Sequence, residues 1–356
     1  MTTVATLLLV LAAPAVTSWP PLPEGPPPGL SNARLSVRPL AGSLADEVRA
    51  AGVGPAWIGY AVPSLKHGHM CCYDSVRGSQ RRPCGMCRLE GRQGGTWSDG
   101  SDRPAPVRLE NDSPLAVVML RVDHGRVGRL GVYSDDCGLD AGDLPVLWLK
   151  AVPAAQSLAV LEPLAASVPS DEALAAIAAH ADPAADAALE RLVAPGRSSK
   201  LREQAAFWMG ESRGRRGYET LRRLVREDKD SEFREHAVFA LSESEVPEAQ
   251  DAIIEVARTD TDPDVRGQAL FWLAQKAGRG ATAAITRSIE EDPETEVKKK
   301  AVFALSELPG GEGVPLLIGV ARANRNPAVR EQAFFWLGQS EDPRALDFIA
   351  DVLKRP

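Results

Sequence analysis

Apolar positions in the second half of the chain recur with a fixed period of 32 residues. The most regular is a phenylalanine in each of five copies, at Phe207, Phe239, Phe271, Phe303 and Phe335. Around it, apolar residues fall on one face of an α-helix, as in the third copy at Val265, Ala269, Trp272 and Leu273. A fixed period of this length is typical of stacked supersecondary units rather than of one closed core.

Capping residues and prolines mark where the helices begin. Asp182-Pro183 and Asp342-Pro343 open the first helix of a copy, and Asp262-Pro263 and Asn326-Pro327 open the second. Thirty-two residues hold two helices of roughly 11 to 13 residues and two short turns. Each copy is therefore predicted to be a helical hairpin.

The opening of the second helix resembles that of HEAT repeats. Residues 262–266 read Asp-Pro-Asp-Val-Arg, and residues 326–330 read Asn-Pro-Ala-Val-Arg. The short, Ala-rich form is similar to the bacterial HEAT repeats first named for phycobilisome lyases. This resemblance implies a mainly α fold, an α-solenoid of about six 32-residue hairpins over residues 153–356, of which the first is degenerate. We expect residues 170–356 to fold without the rest of the chain.

Two predictions concern the aromatic residues of the repeats. The five phenylalanines are predicted to be buried between neighbouring copies. Tryptophan follows the phenylalanine only in every second copy, at Trp208, Trp272 and Trp336, and alternates with Ala240 and Ala304. The alternation favours large-to-small packing between helices, and a row of exposed tryptophans that grips a ligand is the alternative.

Residues 34–152 show no 32-residue echo and predict a small β-rich or α+β domain. Residues 115–122 form a strand candidate, 123–125 a turn, and 126–134 a strand with alternating apolar positions, which together indicate a hairpin. Further strands are predicted at 57–62 and 144–149, and a short helix at 43–51.

The first 33 residues have no core of their own. Residues 4–13 are apolar and are followed by small residues, so residues 1–18 are interpreted as a signal peptide, although no Lys or Arg precedes Arg34. Residues 19–33 are predicted to be a Pro-rich linker. The apolar run is too short to span a membrane. We therefore expect an exported protein, periplasmic or secreted, that is not integral to a membrane.

All five cysteines fall within residues 34–152, at Cys71, Cys72, Cys84, Cys87 and Cys137. A small exported domain gains stability from cross-links, so disulfides are the first interpretation, with one thiol left over. Two alternatives remain open. A zinc site would draw on His67, His69, Cys84 and Cys87, and Cys84 with Cys87 would make a redox-active pair.

Charge and motifs restrict the function. The net charge is −7 and the pI about 5.4, which argues against a nucleic-acid partner. A local row of basic residues one repeat apart is expected to pair with turn residues four positions earlier (Asp230, Asp262, Glu294 and Asn326) rather than to form a binding stripe. The row consists of Arg202, Arg234, Arg266, Lys298 and Arg330.

No P-loop, GxSxG, GxGxxG or HExxH motif occurs. The HEAT-like enzyme deoxyhypusine hydroxylase binds a di-iron centre through His-Glu pairs, whereas His180 and His236 are each followed by Ala. No cofactor is therefore predicted. The alternative is a metal-binding or enzymatic N-terminal domain supported by the solenoid, or a lyase-like HEAT enzyme.

The favoured hypothesis is a non-catalytic scaffold or adaptor that binds a protein partner. In HEAT arrays the second helices line the concave side, so the resemblance implies that the partner lies there. Polar residues one repeat apart are the binding-surface candidates, and a merely solvated face is the alternative. The candidates are Gln204, His236, Gln268, Lys300 and Gln332.

Overall fold

The computed structural model describes residues 22–65, 73–75, 81–83, 86–90, 114–167 and 171–354. Its N-terminal part is a mixed β-sheet with one short helix. The elements in chain order are β1 (Leu30–Pro39), α1 (Leu44–Ala50), β2 (Ala56–Pro63), β3 (Tyr73–Ser75), β4 (Arg81–Pro83), β5 (Met86–Arg88), β6 (Leu115–Asp123), β7 (Arg126–Ser134) and β8 (Gly138–Lys150).

The main sheet has the strand order β1–β8–β2–β6–β7, and β5 also pairs with β8. The β6–β7 pair is antiparallel and is the hairpin that the alternating pattern predicts. Its two-residue turn places His124 and Gly125 at φ values of 50° and 68°, the left-handed region that tight hairpin turns require. Strand β1 begins at Leu30, so the sheet starts inside the segment predicted to be a linker.

Strands β2 and β6 are almost continuously apolar and buried. Such strands are typical of a sheet that is covered on both faces. One face packs against helices through Ile58, Tyr60 and Val62. The opposite face holds Trp57 and Trp148. A side chain at Gly59 would meet the Trp148 ring at 2.8 Å, so only glycine lets this ring lie across β2.

The C-terminal part is helical, in agreement with the 32-residue period. Its helices are α2 (Ala154–Ser167), α3 (Asp171–Ala179), α4 (Ala184–Val193), α5 (Ser199–Ser212), α6 (Gly214–Glu227), α7 (Ser231–Ser242), α8 (Glu248–Thr259), α9 (Pro263–Ala277), α10 (Thr282–Glu291), α11 (Thr295–Ser306), α12 (Gly313–Ala323), α13 (Pro327–Gln339) and α14 (Pro343–Leu353). Short 3₁₀ turns occupy Gly278–Ala281 and Pro309–Gly311. Helices α2 to α13 form six successive hairpins, and α14 ends the array.

The predicted caps lie where the helices begin. Asn326 accepts a hydrogen bond from the Ala328 backbone N–H at 3.0 Å, and Asp342 accepts one from Arg344 at 2.9 Å. Each side chain thereby satisfies an N–H group that has no partner within its helix. Neighbouring hairpins approach closely at Gly210, where an added Cβ would lie 1.8 Å from the Ala240 carbonyl oxygen.

The basic row is structural, and Asp230 is a partner as predicted, but the other carboxylates that it binds differ from those predicted. Arg234 binds both carboxylate oxygens of Asp260 at 2.8 and 2.9 Å, and Arg266 binds both of Asp292 at 2.8 and 3.0 Å. Each carboxylate belongs to the turn of the following hairpin, two residues before the predicted position. The predicted residue Asp262 instead accepts the Asp264 backbone N–H at 2.8 Å.

The members of the basic row lose their carboxylate partners towards the C-terminal end of the array. Arg202 binds Asp228 through one nitrogen only and reaches Asp230 at 3.4 Å with another, and the Arg202 and Asp228 side chains are buried. Lys298 instead donates to the Glu290 carbonyl at 3.0 Å, and Arg330 to the Asn324 carbonyl at 2.8 Å. The bidentate links that tie one hairpin to the next are thus those of Arg234 and Arg266, in the middle of the array.

The sheet and the helices share one hydrophobic core. Helix α3 packs on β6 and β7. The end of β2 continues this contact, because the Leu65 N–H donates to the Ala179 carbonyl and the Ala181 N–H donates to the Pro63 carbonyl, both at 2.9 Å. The degenerate first hairpin is therefore a docking surface for the sheet rather than a loosely packed end.

A buried polar chain crosses this junction. His180 Nδ1 lies 2.6 Å from the Ala176 carbonyl, which only accepts, so Nδ1 donates and Nε2 accepts from Ser157 Oγ at 2.9 Å. Ser157 in turn accepts from Tyr60 Oη at 2.8 Å. Burial lowers the pKa of His180 to about 4, with a smaller effect of the Arg213 charge in the same direction. The imidazole is therefore neutral at pH 7.

Candidate functional site

The second helices of the hairpins form a continuous surface. They are α5, α7, α9, α11 and α13, and each packs along the next more extensively than successive first helices do. Closer approach on this side makes it the concave side of the array. We call the solvent-facing side of these five helices the second-helix face.

Eight aromatic rings run along this face in unbroken contact. The five phenylalanines and three tryptophans occur in the order Trp208, Phe207, Phe239, Trp272, Phe271, Phe303, Trp336 and Phe335. Successive ring centroids lie between 4.5 Å (Phe239 to Trp272) and 6.0 Å (Phe271 to Phe303) apart. These distances are those of favourable aromatic pairs. We call this row the aromatic ladder.

The ladder corrects the predicted burial of the phenylalanines. Four of them are half-buried, and Phe335 is 53% exposed. The space between hairpins is filled by smaller residues on the neighbouring positions, such as Ala237, Val238 and Ala240. Each phenylalanine therefore lies above that layer and contacts another ring of the row, and two pairs are stacked, Phe207 with Phe239 and Phe271 with Phe303. The three tryptophans are also half-buried, so they pack against neighbouring helices and keep part of each ring exposed.

A cleft of about 560 Å³ opens in this face between α7 and α9. Phe239 and Trp272 are the aromatic residues of its lining, with ring planes 35° apart. The remaining lining residues are polar or acidic and comprise Ser231, Glu232, Glu235, His236, Asp262, Asp264 and Gln268. An apolar surface with convergent polar groups is the usual composition of a binding site.

The electrostatics of the cleft are dominated by its carboxylates. Burial raises the pKa of Glu235, and the charge of Asp264 raises it further, against the opposing charge of Lys300. Lys300 Nζ lies 2.5 Å from Asp264 Oδ1 at the rim. His236 Nε2 points towards Glu203, 3.6 Å away. A negatively charged cleft with one lysine at its edge favours a positively charged occupant.

The structure separates the predicted binding residues into three groups. His236 and Gln268 line the cleft, and Lys300 lies at its rim. Gln332 lies two hairpins beyond Gln268, on α13. On α5, Gln204 Oε1 is buried and accepts no hydrogen bond from the described residues. Sequence reasoning did not single out Glu235, which lines the cleft. Its position four residues before Phe239, on the same helix face, was the available signal.

The cysteine predictions are only partly accessible. Cys137 is disulfide-bonded, and Cys87 is a buried thiol rather than half of a disulfide. Cys87 packs with Trp57 and Leu89 on the far face of the sheet, where a thiol behaves as a small apolar group. Five other predicted residues lie outside the described ranges, namely His67, His69, Cys71, Cys72 and Cys84. Among the residues that are described, no cluster of His, Cys, Asp or Glu has the arrangement of a metal site.

Comparison with known families identifies the helical part. HEAT repeats match residues 185–274 and 282–356. The helical array is a HEAT-repeat solenoid. The match begins at residue 185, so it includes neither α2 and α3 nor the sheet, which is a separate β-rich segment. Across the described ranges, no helix is both long and apolar enough to cross a membrane.

Solved structures with a similar chain course include other helical arrays. YibA of Escherichia coli is 22% identical with a TM-score of 0.33, and the match covers 48% of this chain and 64% of YibA. The complex of CpcE and CpcF of phycocyanin lyase from Nostoc sp. PCC7120 is 20% identical with a TM-score of 0.33, over 45% of this chain and 100% of that one. Human deoxyhypusine hydroxylase is 15% identical with a TM-score of 0.25, over 57% and 91%. A comparison with curated proteins gave no match.

Proposed function

We propose that this protein is a non-catalytic scaffold whose HEAT solenoid holds an extended segment of a partner protein along the second-helix face. The observation that supports the proposal most is the aromatic ladder. Eight rings stay in contact across five hairpins and remain partly exposed along their whole length. Aromatic side chains are enriched at protein interfaces and account for a large share of binding energy there.

The shape of the surface supports a polypeptide as the occupant. A row that continues from α5 to α13 offers contacts at regular intervals, about 10 Å from one hairpin to the next. A small metabolite would use one interval of the row, whereas an extended segment would use several. The partner that we propose is therefore a protein. Nucleic acid is a poor fit, because the chain carries a net charge of −7 and three of the five members of the basic row are paired with internal carboxylates.

We propose further that the protein acts outside the cytoplasm, in the periplasm or after secretion. Residues 1–18 are taken as the signal peptide. The disulfide at Cys137 supports this, since structural disulfides persist in oxidising compartments. Cell fractionation would test it, with recovery of the protein in the cytosolic fraction as the contrary result.

Photo-crosslinking tests the binding surface directly. A photoreactive amino acid at Gln268, on the second-helix face, should capture a protein partner in cells that make this chain. The matched position is Asp251, which is exposed on the first helix α8 of the same hairpin. Adducts from Gln268 and none from Asp251 are expected. Adducts from Asp251 alone, or adducts that a nuclease removes, would overturn the proposal.

A further inference from the structure

The contact between a phenylalanine and the tryptophan of the next hairpin occurs twice. Phe239 and Trp272 have centroids 4.5 Å apart, and Phe303 and Trp336 have centroids 4.8 Å apart, both at 35°. The two ring pairs are separated by two hairpins. They have nearly the same geometry, so any chemical difference between them arises from the residues around the rings.

Those surrounding residues differ in charge. Around the first pair stand Glu235, Asp262 and Asp264. The corresponding positions around the second pair, 64 residues later, carry Lys299, Asn326 and Ala328. Three carboxylates are therefore particular to the Phe239–Trp272 pair, whereas the acidic residue Glu232 has an equivalent, Glu296, which is bound by Lys299.

The acidic residues of the cleft are incompletely neutralised. Lys300 neutralises Asp264, and its stem lies across Gly267, where an added Cβ would meet Lys300 Cδ at 2.2 Å. Glu232 and Glu235 form no ion pair with any residue in the described ranges. The same ranges offer no group of three or more acidic side chains arranged for a metal ion. An organic cation suits such a site better than a metal, because aromatic rings supply no oxygen ligands.

The chain itself contains an example of the chemistry. The Arg202 guanidinium carbon lies 3.7 Å from the centroid of the Phe233 ring, and the same guanidinium pairs with Asp228. A guanidinium is planar, so it stacks on a ring while its N–H groups donate to a carboxylate beside that ring. The cleft also presents aromatic rings beside carboxylates, and its lining residues include no arginine.

We propose that the cleft between α7 and α9 binds an arginine side chain carried by an extended segment of the partner polypeptide. This inference rests on the proposed function, and it adds the chemical class of the segment and the hairpins that read it. The guanidinium contacts the partly exposed rings of Phe239 and Trp272 and donates to Glu235. The Phe303–Trp336 pair, beside Lys299, binds an uncharged part of the same segment or none.

Isothermal titration calorimetry of the full chain with model peptides tests the charge requirement. The probe is an octapeptide of alternating arginine and glycine, and it is compared with octapeptides that carry lysine, serine or glutamate instead of arginine. We expect the arginine peptide to bind most tightly, the lysine peptide less tightly, and the other two not at all. Added salt should weaken binding. Equal binding of the glutamate or serine peptide would overturn the inference.

Two variants of equal charge change separate the cleft from general attraction to an acidic protein. Glu235→Lys gives the first ring pair the residue found beside the second, and it should lower the affinity for the arginine peptide about tenfold or more. Glu331→Lys changes the equivalent position on α13, three hairpins away, and should alter affinity by no more than about twofold. Equal effects of the two variants would also overturn the inference.

Two gain-of-function variants guard against a loss that merely reflects unfolding. Lys300→Gln removes the cation that competes at Asp264, so it should tighten binding several-fold. Lys299→Glu combined with Ala328→Asp places carboxylates beside Phe303 and Trp336 and should add a second binding event. Unchanged affinity in the first and unchanged stoichiometry in the second would count against the inference.

The outcomes also separate this inference from the proposed function. If Gln268 crosslinks to a protein but the cleft shows no preference for arginine, the second-helix face is the binding surface and the charge assignment is wrong. If crosslinking occurs only from Asp251, the proposed function itself fails.

Discussion

The two ends of the HEAT array are finished in different ways. At the N-terminal end, α3 lies beneath β6 and β7, and Leu174 and Ile177 are fully buried. At the other end, α14 leaves Leu346 58% exposed and Leu353 81% exposed. The small residues of the first hairpin are therefore not a sign of weak packing, because the sheet supplies the large side chains that cover it.

The difference teaches that a degenerate repeat has to be interpreted together with whatever lies next to it. A terminal repeat usually carries a polar outer face because nothing covers it. Here the first hairpin is Ala-rich, and its helix α3 is buried beneath the sheet. The sheet therefore takes the place of a capping repeat, and the boundary near residue 153 divides the chain without dividing the core.

The largest expected effect is on stability, and it comes from removing the N-terminal end of the array rather than the C-terminal end. A fragment of residues 170–356 loses both the sheet and helix α2, which pack on α3, and it uncovers Leu174 and Ile177, each worth roughly 1.5–3 kcal/mol of burial. Against a total stability of about 5–15 kcal/mol, this loss should melt the first hairpins or the whole fragment. Removal of residues 343–356 should cost much less.

Thermal unfolding followed by circular dichroism, with hydrogen exchange of α3 and α4, measures both truncations. The sequence alone predicted that residues 170–356 fold independently, and the shared core revises that expectation. A fragment that melts like the full chain would show that the sheet is only an accessory.

The second expected effect concerns the links between hairpins. Asp292→Ala leaves the buried Arg266 guanidinium without its carboxylate and should destabilise the protein by about 3–5 kcal/mol. Lys298→Ala, one hairpin towards the C-terminus, removes an exposed lysine and should cost at most about 1 kcal/mol. Urea unfolding of both variants measures the contrast, and similar losses would mean that the links are equally strong along the array.

The third effect is a pH dependence located at the sheet junction. The pKa of His180 in the folded protein, about 4, lies below the ordinary histidine pKa of about 6.5. The unfolded chain therefore binds a proton between these values that the folded chain does not, so stability falls as the pH decreases from about 6.5 to 4. The contribution is roughly 3 kcal/mol. His180→Gln should reduce the urea-midpoint change across this range, and an unchanged midpoint dependence in this variant would contradict the assignment to His180.

The smallest effect compares two rings of the ladder. Phe271 stacks on Phe303 and Trp272, so Phe271→Ala should cost about 1–2 kcal/mol. Phe335 contacts Trp336 and is 53% exposed, so Phe335→Ala should cost less than about 1 kcal/mol. Melting temperatures give the comparison, and equal losses would contradict the idea that a ring is stabilised by neighbours on both sides.

Local features of the fold were readable in the sequence. The helix starts at Pro263, Pro327 and Pro343, and the β6–β7 hairpin with its turn at Gly125, follow from capping and turn chemistry within a few residues. The phenylalanine period indicated the HEAT solenoid for the same reason, since each hairpin repeats one local pattern.

Features that depend on distant contacts were not readable. Asp260 and Asp292 lie in the same turns as the predicted partners Asp262 and Glu294, two residues earlier. The sequence does not distinguish the two positions, and only the packing of adjacent hairpins selects Asp260 and Asp292 as partners. The start of β1 at Leu30 was hidden in Pro- and Gly-rich sequence, because its pairing with β8 involves residues more than 100 positions away. The partial exposure of the ladder depends on how the hairpins stack, which a single helical pattern does not specify.

The alternation of tryptophan and alanine determines how many hairpins can be added or removed without changing the order of the aromatic rings. Deleting one hairpin, α8 with α9, would place Phe239 next to Phe303 and Ala304 and would remove the contact between Phe239 and a tryptophan. Deleting the two hairpins from α8 to α11 would instead bring Phe239 beside Trp336 and restore that contact. The order of the rings thus repeats every 64 residues, although the hairpins repeat every 32, and changes of length that keep this order come in pairs of hairpins.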